Sequence, residues 1–465
     1  MTQRDAQFLC QATGGERVFG PNRSFDQVSI DTRTLEQNSA FFCLVGPRFD
    51  AHAFVEAAVE KGAVILVVLK DRLHELPTVV CAETTIIAVD DTEAALAQAA
   101  AAWRTLHDVT VVALTGSSGK TTTKEMVAAI LSADAPTLAT SGNLNNHLGV
   151  PLTLLRLREE HRFAVIEMGM NAPGEIDFLC QLASPDFGVV TTVGEAHTEG
   201  VGSIVGVARA KGELFRALDS TKWGVFPSHV AERDVLCNAV DAPLDTIGSA
   251  ENDTIRVKAY RDTPGGLRGE IEYQGRQYEL TLPMTGLHNL HNACLALAVG
   301  RQCAVDIDVA LRALSTVEPP PMRGEIKHLS SGAEVVLDCY NANPQSMRAA
   351  VSTFVERHPK GVLALGDMLE LGDHADEAHA ALGAYIADTS STADLIGIGE
   401  LSRHMVDGAR KAGLASNKAH WCVDATAAIP LVQDRCTGGR ALLIKGSRGM
   451  RMERIWNRLS QLGRA

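Results

Sequence analysis

The sequence predicts an α/β fold in three domains: a small N-terminal α/β domain, a central doubly wound parallel sheet carrying a phosphate loop and an antiparallel insertion, and a C-terminal Rossmann-like domain. Three observations predict it. Short β-rich apolar runs alternate with helical stretches along most of the chain. The run Val109 to Ala113 leads through Leu114-Thr115-Gly116-Ser117-Ser118-Gly119-Lys120-Thr121-Thr122-Thr123 into a helix-forming segment. A stiff Pro319-Pro320-Pro321 stretch separates two series of alternating elements. With 465 residues, 46% of them hydrophobic, the chain is long enough for about three cores.

The expected N-terminal domain covers residues 1–105. Phe41 to Val45, Val64 to Leu69 and Ile86 to Val89 read as strands, with Phe54 to Val59 as an intervening helical run and an alanine-rich helix from Glu93 to Trp103. Two loops, Ser29-Ile30-Asp31-Thr32-Arg33 and Gly46-Pro47-Arg48-Phe49-Asp50-Ala51-His52, place hydroxyls, a glycine turn and arginines after strands. They suit a phosphorylated or nucleotide-linked ligand. Taken alone they are a weak signal, since charged loop residues are mostly just solvated.

The central domain is expected over residues 106–318. In its phosphate loop, Gly116 and Gly119 let successive N–H groups face one anion. The following helix N-terminus adds its dipole, Lys120 a positive charge and Thr121 a hydroxyl for Mg²⁺. Leu114 stands where the usual pattern has its first glycine. Further strands are Phe163 to Ile166, ending in Glu167, Gly188 to Val193, ending near His197, and Gly224 to Phe226. Ligands of open parallel sheets lie beyond the carboxyl ends of the strands, so Lys120, Thr121, Glu167 and His197 are expected to converge, the last two as candidate Mg²⁺ groups. Taken singly, Glu167 reads as a solvated carboxylate and His197 as a loop histidine bonded to backbone.

Ser203 is positioned to cap a helix through Ile204, Val207, Ala208, Lys211 and Leu214. By spacing alone Lys211 is a solvated helix lysine, while Gly212 suggests close approach of another segment. Ile255 to Leu282 reads as an antiparallel meander, and Gly286 to Ala293 opens a helix whose imidazoles and amides could recognise a base. Capping is the plainer use of Asn289.

The last domain, 319–465, is expected to use Val335 to Asp338, Val362 to Leu365, Leu395 to Ile398 and Leu442 to Lys445 as buried strands. Polar loops follow the strand ends at Asp338 to Pro344, Gly366 to Gly372 and Lys445 to Arg454.

Composition narrows the function. A formal net charge of −13, with no Lys/Arg cluster able to track a phosphate backbone, argues against a nucleic-acid partner. The ten cysteines form no CxxC pair and no zinc spacing, so they are expected to be buried thiols in a reducing compartment. No apolar leader and no run of 18 uncharged apolar residues is seen; a soluble cytoplasmic protein without a membrane span is the expectation.

The assembled motifs resemble the Mur ligases of peptidoglycan synthesis. The resemblance is carried by Thr115 to Thr122, Gly142-Asn143-Leu144-Asn145-Asn146, Tyr340-Asn341-Ala342-Asn343-Pro344, Leu365 to Gly372 and Lys445-Gly446-Ser447-Arg448, in that order across all three domains. It implies an ATP- and Mg²⁺-dependent amide ligase working through an acyl phosphate. Within the family it implies the step that joins D-alanyl-D-alanine to UDP-N-acetylmuramoyl-tripeptide, by a monomer. Gly116, Ser117, Ser118, Gly119, Lys120, Thr121 and Thr122 match the phosphate grip; Thr121 and Glu167 match ligands of one Mg²⁺, His197 and a carbamylated Lys211 those of a second. His288 and Asn292 match adenine contacts, Arg323 a γ-phosphate arginine and Asp338 a ribose-side carboxylate. Asp31, Thr32, Arg33 and Gly46 match the UDP region, Asn143, Asn145 and Asn146 a loop lining the substrate cleft, and Tyr340, Asn341 and Asn343 the dipeptide end. The resemblance thus reverses the spacing-only reading of Lys211. It also has departures: Leu337 stands in place of a first aspartate, Ala51 in place of a glycine before His52, and Gly449 in place of a serine. Rival readings are the ligase that adds the third amino acid, a folylpolyglutamate-type ligase, and a nucleotide switch that ligates nothing.

Overall fold

The computed structural model describes residues 4–195, 198–263 and 265–462. It clusters into two compact units, one of Met1–Ala113, Ala135–Gly169 and Gly174–Phe187, the other of Leu114–Asp134, Met170–Pro173 and Gly188–Ala465. The expected α/β class is what the elements form.

In the first unit a five-stranded sheet runs in the order Glu16–Phe19, Thr85–Val89, Ala63–Leu69, Ser39–Phe42, Gln27–Ser29. Only Glu16–Phe19 is antiparallel to its neighbour. The strands read from the sequence are present, but the one expected over Phe41 to Val45 stops at Phe42. The Leu44 N–H bonds the Phe42 carbonyl at 3.0 Å, and this tight turn redirects the chain into a small hairpin of Val45–Gly46 with Phe49–Asp50. The alanine-rich helix spans Thr92–Thr105, capped by Asp91, whose carboxylate accepts from the N–H groups of Glu93 and Ala94. Its small side chains let it bury Ala95, Leu96, Ala99, Ala100 and Trp103 on one face. Strand Phe163–Glu167 is buried throughout and pairs in parallel with Thr137–Ala139.

In the second unit, helix Lys120–Ser132 follows the phosphate loop. Trp223–Pro227 and Leu244–Gly248 are parallel neighbours, and Leu244–Gly248 in turn pairs with Ile255–Thr263. The expected meander is therefore an extension of a parallel sheet: Ile255–Thr263, Gly266–Tyr273 and Arg276–Leu282 continue from it as antiparallel strands. The helix capped by Ser203 spans Ile204–Lys211 and breaks at Gly212 into a short turn, Glu213–Arg216. A Cβ on Gly212 would lie 2.7 Å from the Leu236 carbonyl, so the close approach expected there is real.

The C-terminal sheet has the order Glu325–His328, Glu334–Asp338, Leu442–Lys445, Val362–Gly366, Asp394–Ile398, Ala419–Cys422, parallel except at its first edge. Strand alternation sorts its side chains cleanly. Leu363, Leu365, Leu395 and Leu443 enter one core; Val362, Ala364, Ile396, Leu442 and Ile444 enter the other. Each such aliphatic contributes about 1.5–3 kcal/mol through burial.

Helices Ala375–Thr389 and Ser402–Lys411 cover the first of these cores and touch backbone to backbone. A Cβ on Gly383 would sit 1.9 Å from the Met405 carbonyl, and one on Gly408 2.2 Å from the Ala380 carbonyl. Gly383→Ala should therefore destabilise the protein by about 2 kcal/mol or more despite alanine's better helix propensity, because the obstacle is rigid main chain. Urea unfolding of the variant beside wild type measures this; equal or higher stability would disprove the close crossing.

All ten cysteines are free, but Cys10, Cys81, Cys237, Cys303 and Cys422 are only partly buried, so the expectation of wholly buried thiols holds for half of them.

Candidate active site

The phosphate loop owes its shape to two glycines. Gly116, at φ 155°, lies so close to Thr191 that a Cβ would stand 1.9 Å from its hydroxyl oxygen; Gly119, at φ 82°, leaves 2.7 Å between such a Cβ and Asn292 Oδ1. The loop is stitched to the segment that follows strand Phe187–Val190. Ser117 N–H donates to the Thr192 carbonyl at 3.0 Å and Ser118 N–H to Thr192 Oγ1 at 2.9 Å. Ser117 Oγ both accepts from Gly194 N–H and donates to the Gly194 carbonyl, each at 3.0 Å. Lys120 Nζ donates to the Gly116 carbonyl at 2.7 Å, which folds the ammonium back over the loop. Thr121 and Thr122 are buried in the first helical turn.

Facing the loop is a cavity of about 230 Å³. Ser117, Ser118, Gly119, Lys120 and Thr122 line it from the loop, His288 and Asn292 from helix Leu287–Gln302, and Arg323, Asp338, Asn341 and Asn343 from the C-terminal part of the same unit. Residues far apart in sequence that were assigned to the nucleotide thus share one cavity. Tyr340 is not among the residues that line it; its ring centroid lies 4.1 Å from the guanidinium carbon of Arg323, which does. Asp338 Oδ2 accepts from the buried Lys445 Nζ at 2.6 Å, and Lys445 also donates to the Asn341 carbonyl at 3.1 Å. Asn289 does not cap its helix: Nδ2 donates to the Thr285 carbonyl at 2.8 Å and Oδ1 accepts from Asn292 Nδ2 at 3.3 Å, which orients Asn292 toward the loop.

Sequence reasoning did not reach His229, whose ring lies 4.7 Å from that of His291 and tilted by 42° to it on the cavity wall; His291 belongs to the helix start already read as able to recognise a base. They come from segments more than sixty residues apart, and no local pattern joins them. Burial, then the neighbouring His229 and His288, push the His291 imidazole down to about 4, while Asp253 pulls the other way. His288 opens onto the cavity but lies deep between its walls, and that depth lowers its pKa.

Lys211 contradicts the spacing-only reading. It is 1% exposed, and burial together with the charge on Lys120 holds its ammonium well below the usual range. The helix also buries Val207, Ala208 and Ala210, so Lys211 lies on the apolar series of its own helix, and only the residue type argued for solvent.

In the first unit, Glu167 ends its strand at 1% exposure, which overturns the picture of a solvated carboxylate. Its Oε1 accepts from Asn145 Nδ2 at 2.7 Å; its Oε2 is buried with no hydrogen-bond partner among the described residues. An orphaned, buried carboxylate oxygen fits a cation. Asn146 Oδ1 accepts from Gly149 N–H at 2.9 Å and starts helix Gly149–Leu154, and the Asn143 carbonyl accepts from Asn145 N–H at 2.8 Å. His197 lies outside the described residues.

A larger cleft of about 910 Å³ is lined by Asp31, Thr32 and Arg33, with Arg4, Arg156 and Arg158 as basic groups that sequence reasoning did not select. Asp31 pairs with the exposed Arg33 at 2.6 Å, and that contact holds its carboxyl below the usual range. Gly46 is not part of this wall; it turns the adjacent hairpin, where a Cβ would meet the Phe49 ring at 2.7 Å.

Three family models match the chain: the Mur ligase family catalytic domain at residues 24–104, the Mur ligase middle domain at 114–300, and the Mur ligase glutamate ligase domain at 322–448. A UDP-N-acetylmuramoyl-tripeptide–D-alanyl-D-alanine ligase of Bacillus subtilis (strain 168) is 36% identical over 430 residues, 92% of each chain. The chain belongs to the MurF group of the Mur ligase family. Among solved structures, MurF from Acinetobacter baumannii superposes on this Mur ligase with a TM-score of 0.89 at 31% identity, covering 99% of both chains. MurF from Thermotoga maritima, in complex with ADP, does so with a TM-score of 0.80 at 25% identity over 94% of this chain and 98% of that one. Family membership makes this Mur ligase an ATP-dependent amide ligase. Among the described residues no helix is long and apolar enough to cross a membrane.

The lowered His291 pKa ties stability to pH. A histidine at about 4 in the folded chain and near 6.5 unfolded favours the native state fully above pH 6.5. That contribution is lost as pH falls from 6.5 toward 4, by up to about 3 kcal/mol. Denaturant titrations at pH 7 and pH 4.5 should show a smaller acid loss for His291→Gln than for wild type; parallel losses would refute the assignment.

Proposed function

We propose that this chain joins D-alanyl-D-alanine to UDP-N-acetylmuramoyl-tripeptide, consuming ATP and giving the UDP-linked pentapeptide, ADP and phosphate. The observation that carries the proposal is the single cavity onto which the phosphate loop, the histidine- and asparagine-bearing helix start and Arg323 all open. Residues 1–105 are taken as the UDP-substrate domain, 106–318 as the ATP domain and 319–465 as the domain for the incoming dipeptide. The enzyme is read as a cytoplasmic monomer.

A carboxylate resists attack by an amine because it would have to expel oxide. Moving the γ-phosphoryl of ATP onto it provides a good leaving group, and the acyl phosphate then reacts with the dipeptide amine through a tetrahedral intermediate to give amide and phosphate. The difficult moment is the meeting of two anions. Lys120, released from the Gly116 carbonyl, and Arg323, steadied on the Tyr340 ring, hold positive charge on the cavity wall for that moment. The first turn of helix Lys120–Ser132 presents its backbone N–H groups to the phosphates. His288 and Asn292 are assigned to the base, and Asp338, held by Lys445, to the ribose side. Tyr340 and Asn341 are assigned to the dipeptide end; Asn343, expected there with them, has its buried amide bonded to Ser117, Ser118 and Ser346 instead. Asp31, Thr32 and Arg33, with Arg4, Arg156 and Arg158, suit the cleft to a diphosphate-bearing substrate.

Glu167, through an Oε2 with no hydrogen-bond partner among the described residues, is assigned as a Mg²⁺ ligand; Thr121, Lys211 as a carbamate, and His197 are likewise assigned to Mg²⁺. When bound, Mg²⁺ would screen the phosphate charges. Burial favours the neutral Lys211 amine, which can add to CO₂, forming an N–C bond and losing a proton to become an anionic oxygen ligand.

Phosphate release should require ATP, UDP-tripeptide and D-alanyl-D-alanine together, with pentapeptide as product. Hydrolysis independent of both co-substrates would favour a nucleotide switch, and turnover with a single amino acid or glutamate would favour the rival ligases. Lys120→Ala should abolish acyl-phosphate formation while UDP-substrate binding, followed by calorimetry, stays within about threefold of wild type; full turnover would sink the phosphate-loop assignment. Lys211→Ala should be nearly inactive and regain part of its rate with a short-chain carboxylic acid, whereas near-wild-type activity without rescue would remove the carbamate.

A further inference from the structure

The geometry points to Asn343 as a positioning residue that latches the Tyr340–Ser346 segment onto the phosphate loop, so that nucleotide affinity and the placement of Arg323 are set together. The inference goes beyond the ligase reading and rests only on the nucleotide's phosphates entering at the loop. Asn343 is buried, and its amide is engaged on both ends. On one end Oδ1 accepts from Ser346 N–H at 2.8 Å, while Ser346 Oγ accepts from Asn343 N–H at 3.0 Å; this reciprocal pair starts helix Pro344–Arg357. On the other end Nδ2 donates to the Ser117 carbonyl at 3.2 Å and to Ser118 Oγ at 3.0 Å. One side chain therefore fixes a helix start and the middle of the phosphate loop, 225 residues apart in sequence.

A second contact runs beside the first. A Cβ placed on Gly194 would lie 2.3 Å from Gln345 Oε1, so the same segment packs onto the strand end to which Ser117 Oγ is bonded. The segment also carries Arg323 with it. Tyr340 N–H donates to the Met322 carbonyl at 3.2 Å, and the Arg323 guanidinium rests on the Tyr340 ring. Arg323, Tyr340 and Asn343 thus form one connected piece that grips the loop through the Asn343 amide. A nucleotide that orders the loop would by this link hold Arg323 over its terminal phosphate, and loss of the link would loosen both.

The test separates the latch from ordinary helix capping. Serine caps helices about as well as asparagine, but its hydroxyl cannot span to Ser117 and Ser118 while accepting from Ser346 N–H. Asn343→Ser and Asn343→Ala are compared with wild type in thermal melting, Mg·ADP affinity by calorimetry, and KM and kcat for all three substrates. The expected result is that Asn343→Ser melts within a degree or two of wild type, yet both variants bind ADP about tenfold more weakly. In both, KM for ATP rises and kcat falls, while KM for the UDP-substrate is unmoved. Wild-type ADP affinity and kcat in Asn343→Ser, with only the melting temperature of Asn343→Ala lowered, would reduce Asn343 to a cap and overturn the inference. A wild-type chain that binds no ADP would instead overturn the nucleotide reading, and the latch with it.

Discussion

A phosphate loop can present backbone N–H groups to an anion only if its turns carry no side chains, and in this chain the space vacated at Gly116 and Gly119 is taken up by neighbours. Thr191 fills the first gap and Asn292 the second. The loop is therefore shaped by what packs against it as much as by its own sequence. Thr191, Thr192 and Gly194 hold it from the adjacent strand end, Asn292 packs on it from helix Leu287–Gln302, and Asn343 bonds it from the start of helix Pro344–Arg357. A substitution at either glycine would push on threonine or asparagine groups that are themselves bonded, so damage would spread to every wall of the cavity.

Charge is distributed with similar economy. Three lysines stand near the cavity or the loop, and each is handled differently. Lys445 is neutralised by Asp338, Lys120 is folded onto a carbonyl, and Lys211 is buried where an ammonium is disfavoured. Lys120, from the loop, and Arg323, from the segment after the proline stretch, both line the cavity.

The parallel strands were legible because both faces are buried, giving continuous apolar runs such as Val362 to Leu365 and Phe163 to Ile166. The strand–loop–helix turn was legible because its pattern is local, and the place of Glu167 at a strand end because the apolar run before it is continuous. What escaped depends on partners distant in the chain. Lys211 is covered by elements its own helix does not announce; His229 and His291 meet only in three dimensions; Arg4 lines a cleft from beside the chain start. Asn289 was misjudged because a cap and an orienting amide use the same residue type, and only the reach back to Thr285 distinguishes them.

The fold-back of Lys120 onto the Gly116 carbonyl has a kinetic meaning. The ammonium already rests on an oxygen acceptor of its own loop, so an arriving phosphate replaces one acceptor with another through rotation about side-chain bonds. Such a rotation is a change of side-chain rotamer, which in exposed residues takes picoseconds to nanoseconds. The contact thus holds the Lys120 ammonium against its own loop, on an oxygen of the kind a phosphate also presents.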